Sequence, residues 1–144
     1  MRSKNLFYFL KYLFVLVFIG SAVGKLLDNR GFSAVIGTYQ LLPDDLTLFV
    51  GLSVSLFELF LGVSILLNHK LKLCAQTAIA VHIGYLTLAS ITLWRGINLI
   101  NCGCFGVFWA RSLSYQTVIE DVVLILLSIL FYKTVLARGV TNEE

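Results

Sequence analysis

Residues 46–67 read LTLFVGLSVSLFELFLGVSILL, a run of 22 residues whose single ionisable side chain is Glu58. At a rise of 1.5 Å per residue, a helix of this length spans roughly 33 Å, which matches a hydrocarbon core about 30 Å thick. The run is continuously apolar, whereas the strands of a membrane barrel alternate apolar and polar positions. This stretch therefore predicts a transmembrane helix.

The rest of the chain repeats the pattern. Apolar runs of similar length occupy residues 6–27, 72–94 and 117–137. Hydrophobic residues make up 58% of the 144 residues and charged residues 13%, a composition too apolar for an ordinary soluble domain. The sequence predicts an all-α integral membrane protein, one domain over residues 1–144 built as a four-helix bundle. We expect the first run to be retained as a span, because it is longer than the apolar core of a secretory signal.

Basic residues are distributed unevenly between the two sides of the predicted bundle. The side with both termini carries Arg2, Lys4, Lys70, Lys72, Lys133 and Arg138. The other side carries Lys25, Arg30, Arg95 and Arg111. Because loops rich in Lys and Arg tend to stay in the cytoplasm, we expect both termini there and residues 95–116 outside, across a bacterial inner membrane. The net charge of +3 is spread over loops and gives no nucleic-acid signature, so membrane lipid is the expected surrounding.

Glu58 lies on one helical stripe with Gly51, Ser55 and Gly62, small residues that let membrane helices pack closely. An ionisable group near mid-membrane costs at least a few kcal/mol unless it is buried, paired or neutral. His82 is expected at a similar depth in the third helix, so one interpretation pairs it with Glu58. The other leaves Glu58 neutral, satisfied by a hydroxyl or backbone group, with His82 unrelated.

Three other ionisable side chains lie nearer the helix ends. Lys11 and Lys25 are predicted to anchor the first helix, because long lysine stems can extend toward the head-group layers. Asp121 shares a face of the fourth helix with Ser128 near the outer surface. That position suits the mouth of a cavity, and the interpretation in which Asp121 has no functional role is favoured over it.

Residues 102–106 read CGCFG and lie in the polar stretch 95–116 between the third and fourth spans. The two glycines, Gly106 among them, permit the backbone torsions of a tight turn. A disulfide between Cys102 and Cys104 would close a small strained ring, and a strained disulfide is easier to reduce. The motif therefore favours redox chemistry at the membrane surface.

Neighbouring residues give this motif further support. Arg95 and Arg111 favour the thiolate, which is the attacking species, if the loop folds back near them. Phe105 is one of several apolar residues expected to hold the loop against the membrane interface.

Three other interpretations of the cysteines compete with redox activity. A lone C-x-C without nearby His or a second pair supplies too few ligands for a closed zinc site. Two unlinked thiols are less expected outside the cytoplasm, where disulfides persist. An inert disulfide that only shapes the loop is also compatible with the motif. Cys74, near the other end of the third helix, is expected to be a small packing residue.

Several motifs occur together in one order along the chain. Residues 20–25 lie in the first span, YQLLP (39–43) precedes the second, ELFLG (58–62) lies within it and CGCFG (102–106) comes late. With four spans, this arrangement resembles the MauE group of the DoxX-like membrane proteins over nearly the whole chain. The resemblance implies a four-helix membrane bundle associated with periplasmic disulfide chemistry, usually beside a thioredoxin-like partner such as MauD.

Together these observations predict a membrane redox protein. Cys102 and Cys104 would cycle between dithiol and disulfide and exchange electrons with an extracytoplasmic thioredoxin-fold partner. The cofactor is open, because a quinone at the interface and electron supply through the membrane both fit. Quinone-linked thiol oxidases of the DsbB type rely on C-x-x-C and a second cysteine pair, from which this chain differs. The main alternative is a non-enzymatic membrane anchor or scaffold for a redox partner, and a small transporter, suggested by Glu58 and His82, ranks last.

Overall fold

Five helices and no strand make up the described part of the chain, residues 2–108 and 110–139 of a computed structural model. They are α1 (Arg2–Leu27), α2 (Asn29–Thr38), α3 (Asp44–Leu66), α4 (Leu71–Trp94) and α5 (Tyr115–Ala137). The four long helices begin and end within four residues of the bounds expected from the apolar runs. The all-α prediction is confirmed.

Three of the helices are long and apolar enough to cross a membrane, judged by length and composition. They are Lys4–Leu27 within α1, with a mean hydropathy of 2.1, α3 with 2.1 and α4 with 1.4. At 23 residues, α5 is as long as α3, but Glu120 and Asp121 lie in its second turn. The fourth span therefore stays a prediction.

The surface of the bundle is apolar and much of its interior is polar. Large apolar side chains are exposed along the long helices, among them Phe9, Leu16, Phe49, Phe60 and Leu126. Buried side chains include Lys25, Ser55, Glu58, His82 and Ser128. Lipid rather than water suits such an exterior, and ionisable groups inside lipid are expected to face the bundle interior. This distribution is that of an all-α membrane protein.

The long helices pack in a ring in the order α1, α3, α4, α5, and the contact between α3 and α4 is the sparsest in that ring. Gly62 lets α3 approach α1 closely, since a Cβ there would lie 2.7 Å from the side chain of Ile19. Gly51, Ser55 and Glu58 are also buried, so the small-residue stripe faces the interior as expected.

The short helix α2 lies against α3 and α1 at one end of the bundle. The Asp28 side chain caps it by accepting a hydrogen bond from the Gly31 N–H (2.9 Å), and Phe32 is buried beneath it. The apolar runs predict no helix between residues 27 and 46, and a helix of ten residues is too short to cross a membrane. We call this end, which also carries the loop of residues 95–114, the cysteine end.

Candidate functional site

Residues 95–108 and 110–114 belong to a folded-back loop over the cysteine end. The N–H of Cys102 donates to the carbonyl oxygen of Arg111 (2.8 Å), which joins the two arms of the loop. Gly103 and Gly106 have φ values of +72° and +76°, and the Gly106 N–H donates to the Gly103 carbonyl (3.1 Å). Because L side chains rarely adopt such φ values, this turn depends on both glycines.

A backbone contact between two glycines seats the loop on α1. A Cβ added to Gly24 would overlap the carbonyl oxygen of Phe105, and a Cβ added to Gly106 would overlap the carbonyl of Gly24. The turn therefore lies directly against the last turns of α1. This explains structurally why glycine recurs both near the end of the first span and in the CGCFG motif.

Cys102 and Cys104 are both thiols in the structure but occupy different environments. Cys102 is buried, with only 8% of its surface exposed, whereas Cys104 is exposed. A hydrogen bond from Cys104 is the largest influence that lowers the pKa of Cys102 to about 6, and backbone N–H groups and the charge of Arg111 add to it. The same hydrogen bond is the largest influence that raises the pKa of Cys104 above its ordinary value, and the protein atoms packed round its sulfur add to this by excluding water from it, although part of the residue's surface is exposed. The interaction between the two sulfurs therefore favours the thiolate at Cys102 and the thiol at Cys104.

The two arginines of the loop have different roles. Arg111 acts on the Cys102 thiolate through its charge and also pairs with Glu120, from Nη2 to Oε1 at 2.7 Å. That carboxylate raises the pKa of the Arg111 guanidinium. Arg95 was also expected to favour the thiolate, but it is not among the influences that lower the pKa of Cys102. Its Nη1 donates to the Tyr39 carbonyl oxygen (2.9 Å) and caps the C-terminal end of α2 instead.

A buried ion pair lies directly beneath the loop. Lys25 Nζ is 2.9 Å from Oε1 and 2.8 Å from Oε2 of Glu58, and the hydroxyl of Tyr85 also donates to that carboxylate. Ser21 Oγ lies 2.9 Å from Glu58 Oε2 and 2.7 Å from the carbonyl oxygen of Cys104. Ser21 thus connects the ion pair to the backbone of the cysteine motif.

Neither interpretation of Glu58 drawn from the sequence matches the structure in full, because its carboxylate forms an ion pair with Lys25 and no hydrogen bond with His82 among the described residues. His82 Nδ1 lies 2.8 Å from the carbonyl oxygen of Ala78 and 3.1 Å from Ser128 Oγ. Its ring packs against two phenylalanine rings of α1, with centroid distances of 5.9 and 5.5 Å. His82 thus belongs to the packed part of the bundle away from the thiols, and Glu58 takes its partners from α1 and Tyr85.

The inward position of Lys25, like the roles of Ser21 and Tyr85 in this network, was not predicted from the sequence. Lys25 was expected to extend toward a head-group layer, but it is 1% exposed and points into the bundle. Lys11 is buried as well, and its Nζ donates to Asn68 Oδ1 (2.7 Å) in the turn between α3 and α4. The four-residue spacing of Ser21 and Lys25, which places both on one helical face, was a signal that could have indicated an inward lysine.

A cavity of about 180 Å³ lies beside the thiols. Apolar residues form most of its wall: Phe32, Ile36, Val50, Val54, Leu88 and Ala89. Cys102, Cys104 and Asp121 also line it. Asp121 is 8% exposed, and its carboxyl group forms no hydrogen bond with another residue in the described part of the chain. The structure therefore brings Asp121 and both cysteines to one cavity, while His82 lies outside it.

The family model described as "Methylamine utilisation protein MauE" matches residues 3–133 of the chain. The chain belongs to the MauE family. A similar MauE protein is the "Methylamine utilization protein MauE" of Paracoccus denitrificans, with 26% identity over 120 residues. The aligned region covers 83% of this chain and 64% of that relative, so the chain spans less than two thirds of the length of the curated MauE protein it matches. No solved structure matches the chain.

Membership of the MauE family confirms the resemblance drawn from the sequence. The matched range includes α1 from residue 3, the whole cysteine loop and both partners of the Lys25–Glu58 ion pair. Together with the three candidate spans, it establishes a membrane protein of the MauE family.

Proposed function

We propose that this protein is a membrane thiol oxidant, whose Cys102–Cys104 disulfide accepts two electrons from a thioredoxin-fold protein outside the cytoplasm. The observation that carries the proposal is the inequality of the two cysteines. Cys104 is exposed, whereas Cys102 is buried with a pKa lowered to about 6. This combination suits a disulfide that is attacked on one sulfur and released from the other.

The exchange follows from that inequality. A thiolate of the partner attacks Cys104 Sγ, the S–S bond breaks, and its electron pair leaves on Cys102 Sγ. Thiols of low pKa are the better leaving groups, so Cys102 suits this role. The second thiolate of the partner then attacks the partner's own sulfur in the mixed disulfide and releases Cys104, which takes up a proton. The partner dithiol becomes a disulfide, and the Cys102–Cys104 disulfide becomes a dithiol.

The contacts around the loop support a fixed geometry for this step. The hydroxyl of Tyr39 donates to the carbonyl oxygen of Cys102 (2.6 Å), and Ser21 Oγ lies 2.7 Å from the carbonyl oxygen of Cys104. With the contact of Gly106 on Gly24, these bonds restrain the loop on both sides of the thiols. Catalytic groups gain rate when their geometry is set before reaction.

The distribution of basic residues supports an orientation with the cysteine end outside the cytoplasm, in a bacterial inner membrane. Disulfides form and persist in that compartment. The methylamine-utilisation name of the relative supports a partner that belongs to such a system. We infer that this partner carries its own C-x-x-C pair and receives its disulfide at the membrane surface.

The test uses the full-length oxidised protein in phospholipid nanodiscs and a reduced thioredoxin as the probe. Acid trapping followed by mass tagging measures the thiols on both proteins. We expect two electrons to pass per chain, and each of Cys102→Ser and Cys104→Ser to abolish the transfer. Cys74→Ser is the matched control and should transfer as the wild type does, because Cys74 packs within the opposite half of α4.

The same experiment separates catalysis from scaffolding when it is repeated with the chain's own thioredoxin-fold partner. If that partner still binds the Cys102→Ser and Cys104→Ser variants but is no longer oxidised, the thiols carry the reaction. If the partner is oxidised equally well by both variants, the proposal is wrong and the loop serves only as an anchor.

A further inference from the structure

The cavity beside the thiols has room for a ring-sized ligand. Its volume of about 180 Å³ is roughly tenfold larger than the smallest cavity that holds one water molecule, about 15 Å³. Val50 and Val54 of α3 face Leu88 and Ala89 of α4 across it. A wall of this kind holds an apolar molecule better than it holds water.

The position of the cavity indicates entry from the membrane. It lies where α3 and α4 border each other, and their contact is the sparsest in the ring of long helices. Leu41 and Leu42 also belong to its wall, and both are exposed on the outer surface of the protein. The cavity is therefore continuous with an apolar exterior, and an apolar ligand can reach it without crossing water.

The polar groups on the wall indicate what the ligand does. Cys102 and Cys104 present two redox-active sulfurs, and Asp121 presents a buried carboxyl group without a hydrogen-bond partner among the described residues. Lys25 and Tyr85 are already bonded to Glu58. A ligand that matches this wall is a flat apolar ring with oxygen atoms, able to take electrons from a dithiol and protons through a carboxyl group.

We propose that this cavity binds the head group of a membrane quinone, which oxidises the Cys102–Cys104 dithiol. The inference rests on the proposed function, since the quinone removes the electrons that the thioredoxin-fold partner delivers. Asp121 is the positioning residue that passes protons between Cys104 and the quinone oxygens. The site thus couples a thiol pair at the membrane surface to an electron carrier in the lipid.

The reaction transfers two electrons from the Cys102–Cys104 dithiol to the quinone. Cys102 Sγ forms a bond to the quinone ring, and the sulfur of Cys104 then attacks Cys102 Sγ. The S–S bond forms, the bond between Cys102 and the ring breaks, and its electron pair stays on the ring. The quinone gains two electrons and two protons and becomes a quinol. One proton comes from the Cys104 thiol, and the other comes from solvent in place of the proton already lost by Cys102.

The test uses the reduced full-length protein in phosphatidylcholine nanodiscs with decylubiquinone, whose fully substituted ring does not form stable adducts with free thiols. Quinol absorbance and mass tagging follow the reaction, and a photoreactive ubiquinone analogue, mapped by mass spectrometry, reports binding. Ala89→Leu fills the cavity from α4. Ala80→Leu is the matched control, because Ala80 is an exposed residue of the same helix. Val54→Phe fills the cavity from the opposite wall.

We expect Ala89→Leu and Val54→Phe to lower photolabelling and quinol formation at least about tenfold, which corresponds to a loss of about 1.4 kcal/mol in binding. Ala80→Leu should stay within about twofold of wild type, less than about 0.5 kcal/mol. All three variants should still exchange thiols with thioredoxin, which also shows that they fold. Asp121→Asn should slow quinol formation while photolabelling is retained, and its rate should keep only the pH dependence that belongs to the Cys102 thiolate.

Two outcomes overturn the inference. One is a dithiol that exchanges with thioredoxin but neither reduces decylubiquinone nor binds the photoreactive analogue. The other is photolabelling outside the cavity or unchanged by Ala89→Leu and Val54→Phe, as a cavity filled by a lipid chain would give. Quinol formation without thioredoxin exchange would instead overturn the proposed function alone, so the two failures are distinguishable.

Discussion

Lys25 Nζ lies 2.8 Å from Oε2 of Glu58, and both side chains are only 2% exposed. The pair joins the end of α1 to the middle of α3. A charge buried without a partner is strongly unfavourable, so each of these groups requires the other. Since Ser21 connects Glu58 to the carbonyl of Cys104, the ion pair also supports the floor of the cysteine loop.

The first prediction concerns the loss of one charge from this pair. Glu58→Gln keeps the size of the side chain but leaves the Lys25 ammonium buried without a counter-charge. We expect a loss of about 3–5 kcal/mol in the free energy of unfolding, measured by denaturant titration in detergent micelles. Lys25→Met combined with Glu58→Gln should recover a large part of that loss, because no charge is then left unpaired.

Glu120→Gln is the matched control for this experiment. It removes a carboxylate from the Arg111–Glu120 pair, whose side chains are 38% and 41% exposed. Exposed ion pairs contribute about 0–1 kcal/mol, so this variant should unfold close to the wild type. Equal losses in the free energy of unfolding for Glu58→Gln and Glu120→Gln would show that burial does not determine how much an ion pair contributes to stability.

The fold could be predicted from the apolar runs because membrane thickness fixes the length of a spanning helix. The helix α2 could not be predicted from the length of an apolar run, because ten residues are too few to span a membrane. It is stabilised instead by packing and by the Asp28 cap. Phe32, the buried residue of α2, packs under the ammonium of Lys25 (5.2 Å) and close to Gly51 of α3 and Gly103 of the cysteine loop, so its burial depends on how these elements come together. Only the tertiary structure decides whether such a segment becomes a helix.

The ion pair was missed for a geometric reason. Depth was estimated from the rise per residue, which places Lys25 at the membrane surface and Glu58 near the middle. Side chains in a helix, however, lean toward its N-terminus. In the antiparallel helices α1 and α3, Lys25 therefore leans into the bundle and Glu58 leans toward the cysteine end, so the two meet between their backbone positions.

The position of the two cysteines in one short loop could be predicted from the sequence, because the CGCFG motif lies in the polar stretch between two apolar runs. The effect of the arginines could not be predicted, since it depends on how the loop folds. Arg111 acts on Cys102 because the two residues pair across the arms of the loop. Arg95 lies on the other arm and reaches the end of α2 instead.

A second prediction tests the seat of the loop on α1. Gly96 and Gly106 have φ values of +71° and +76°, but only a Cβ on Gly106 would overlap the backbone of Gly24. Gly96→Ala should therefore lose about 1–3 kcal/mol of stability from backbone strain alone. Gly106→Ala should lose more and should also expose Cys102, seen as faster alkylation by a thiol reagent at fixed pH. Equal alkylation rates in Gly96→Ala and Gly106→Ala would contradict this interpretation.

A third prediction concerns the pH dependence of the thiols. Because the thiolate is the reactive form, alkylation of Cys102 should be fast above pH 6 and should fall as the pH drops through its pKa of about 6. Cys104→Ala removes the hydrogen bond that favours the thiolate, so the midpoint should rise toward about 8.5. Cys104→Ser keeps a hydroxyl donor and should shift it less. The measurement is the pH profile of alkylation at Cys102, mapped by mass spectrometry.

The order of these midpoints shows which influence lowers the pKa of Cys102 most. If the Cys104→Ala midpoint stays near pH 6, the hydrogen bond from Cys104 is not the main influence. In that case Arg111→Gln should raise the midpoint further than Cys104→Ala does, since the positive charge would then hold the thiolate.

A fourth prediction tests how Tyr39 holds the buried cysteine. Its hydroxyl donates to the carbonyl oxygen of Cys102 at 2.6 Å, and both residues are buried. Tyr39→Phe leaves that carbonyl without its donor, which should lower the free energy of unfolding by about 1–3 kcal/mol. Tyr12→Phe is the matched control, because Tyr12 is 56% exposed on α1, and it should be nearly neutral. If Tyr39→Phe unfolds like Tyr12→Phe and keeps the wild-type alkylation rate at Cys102, the bond does not position the thiol.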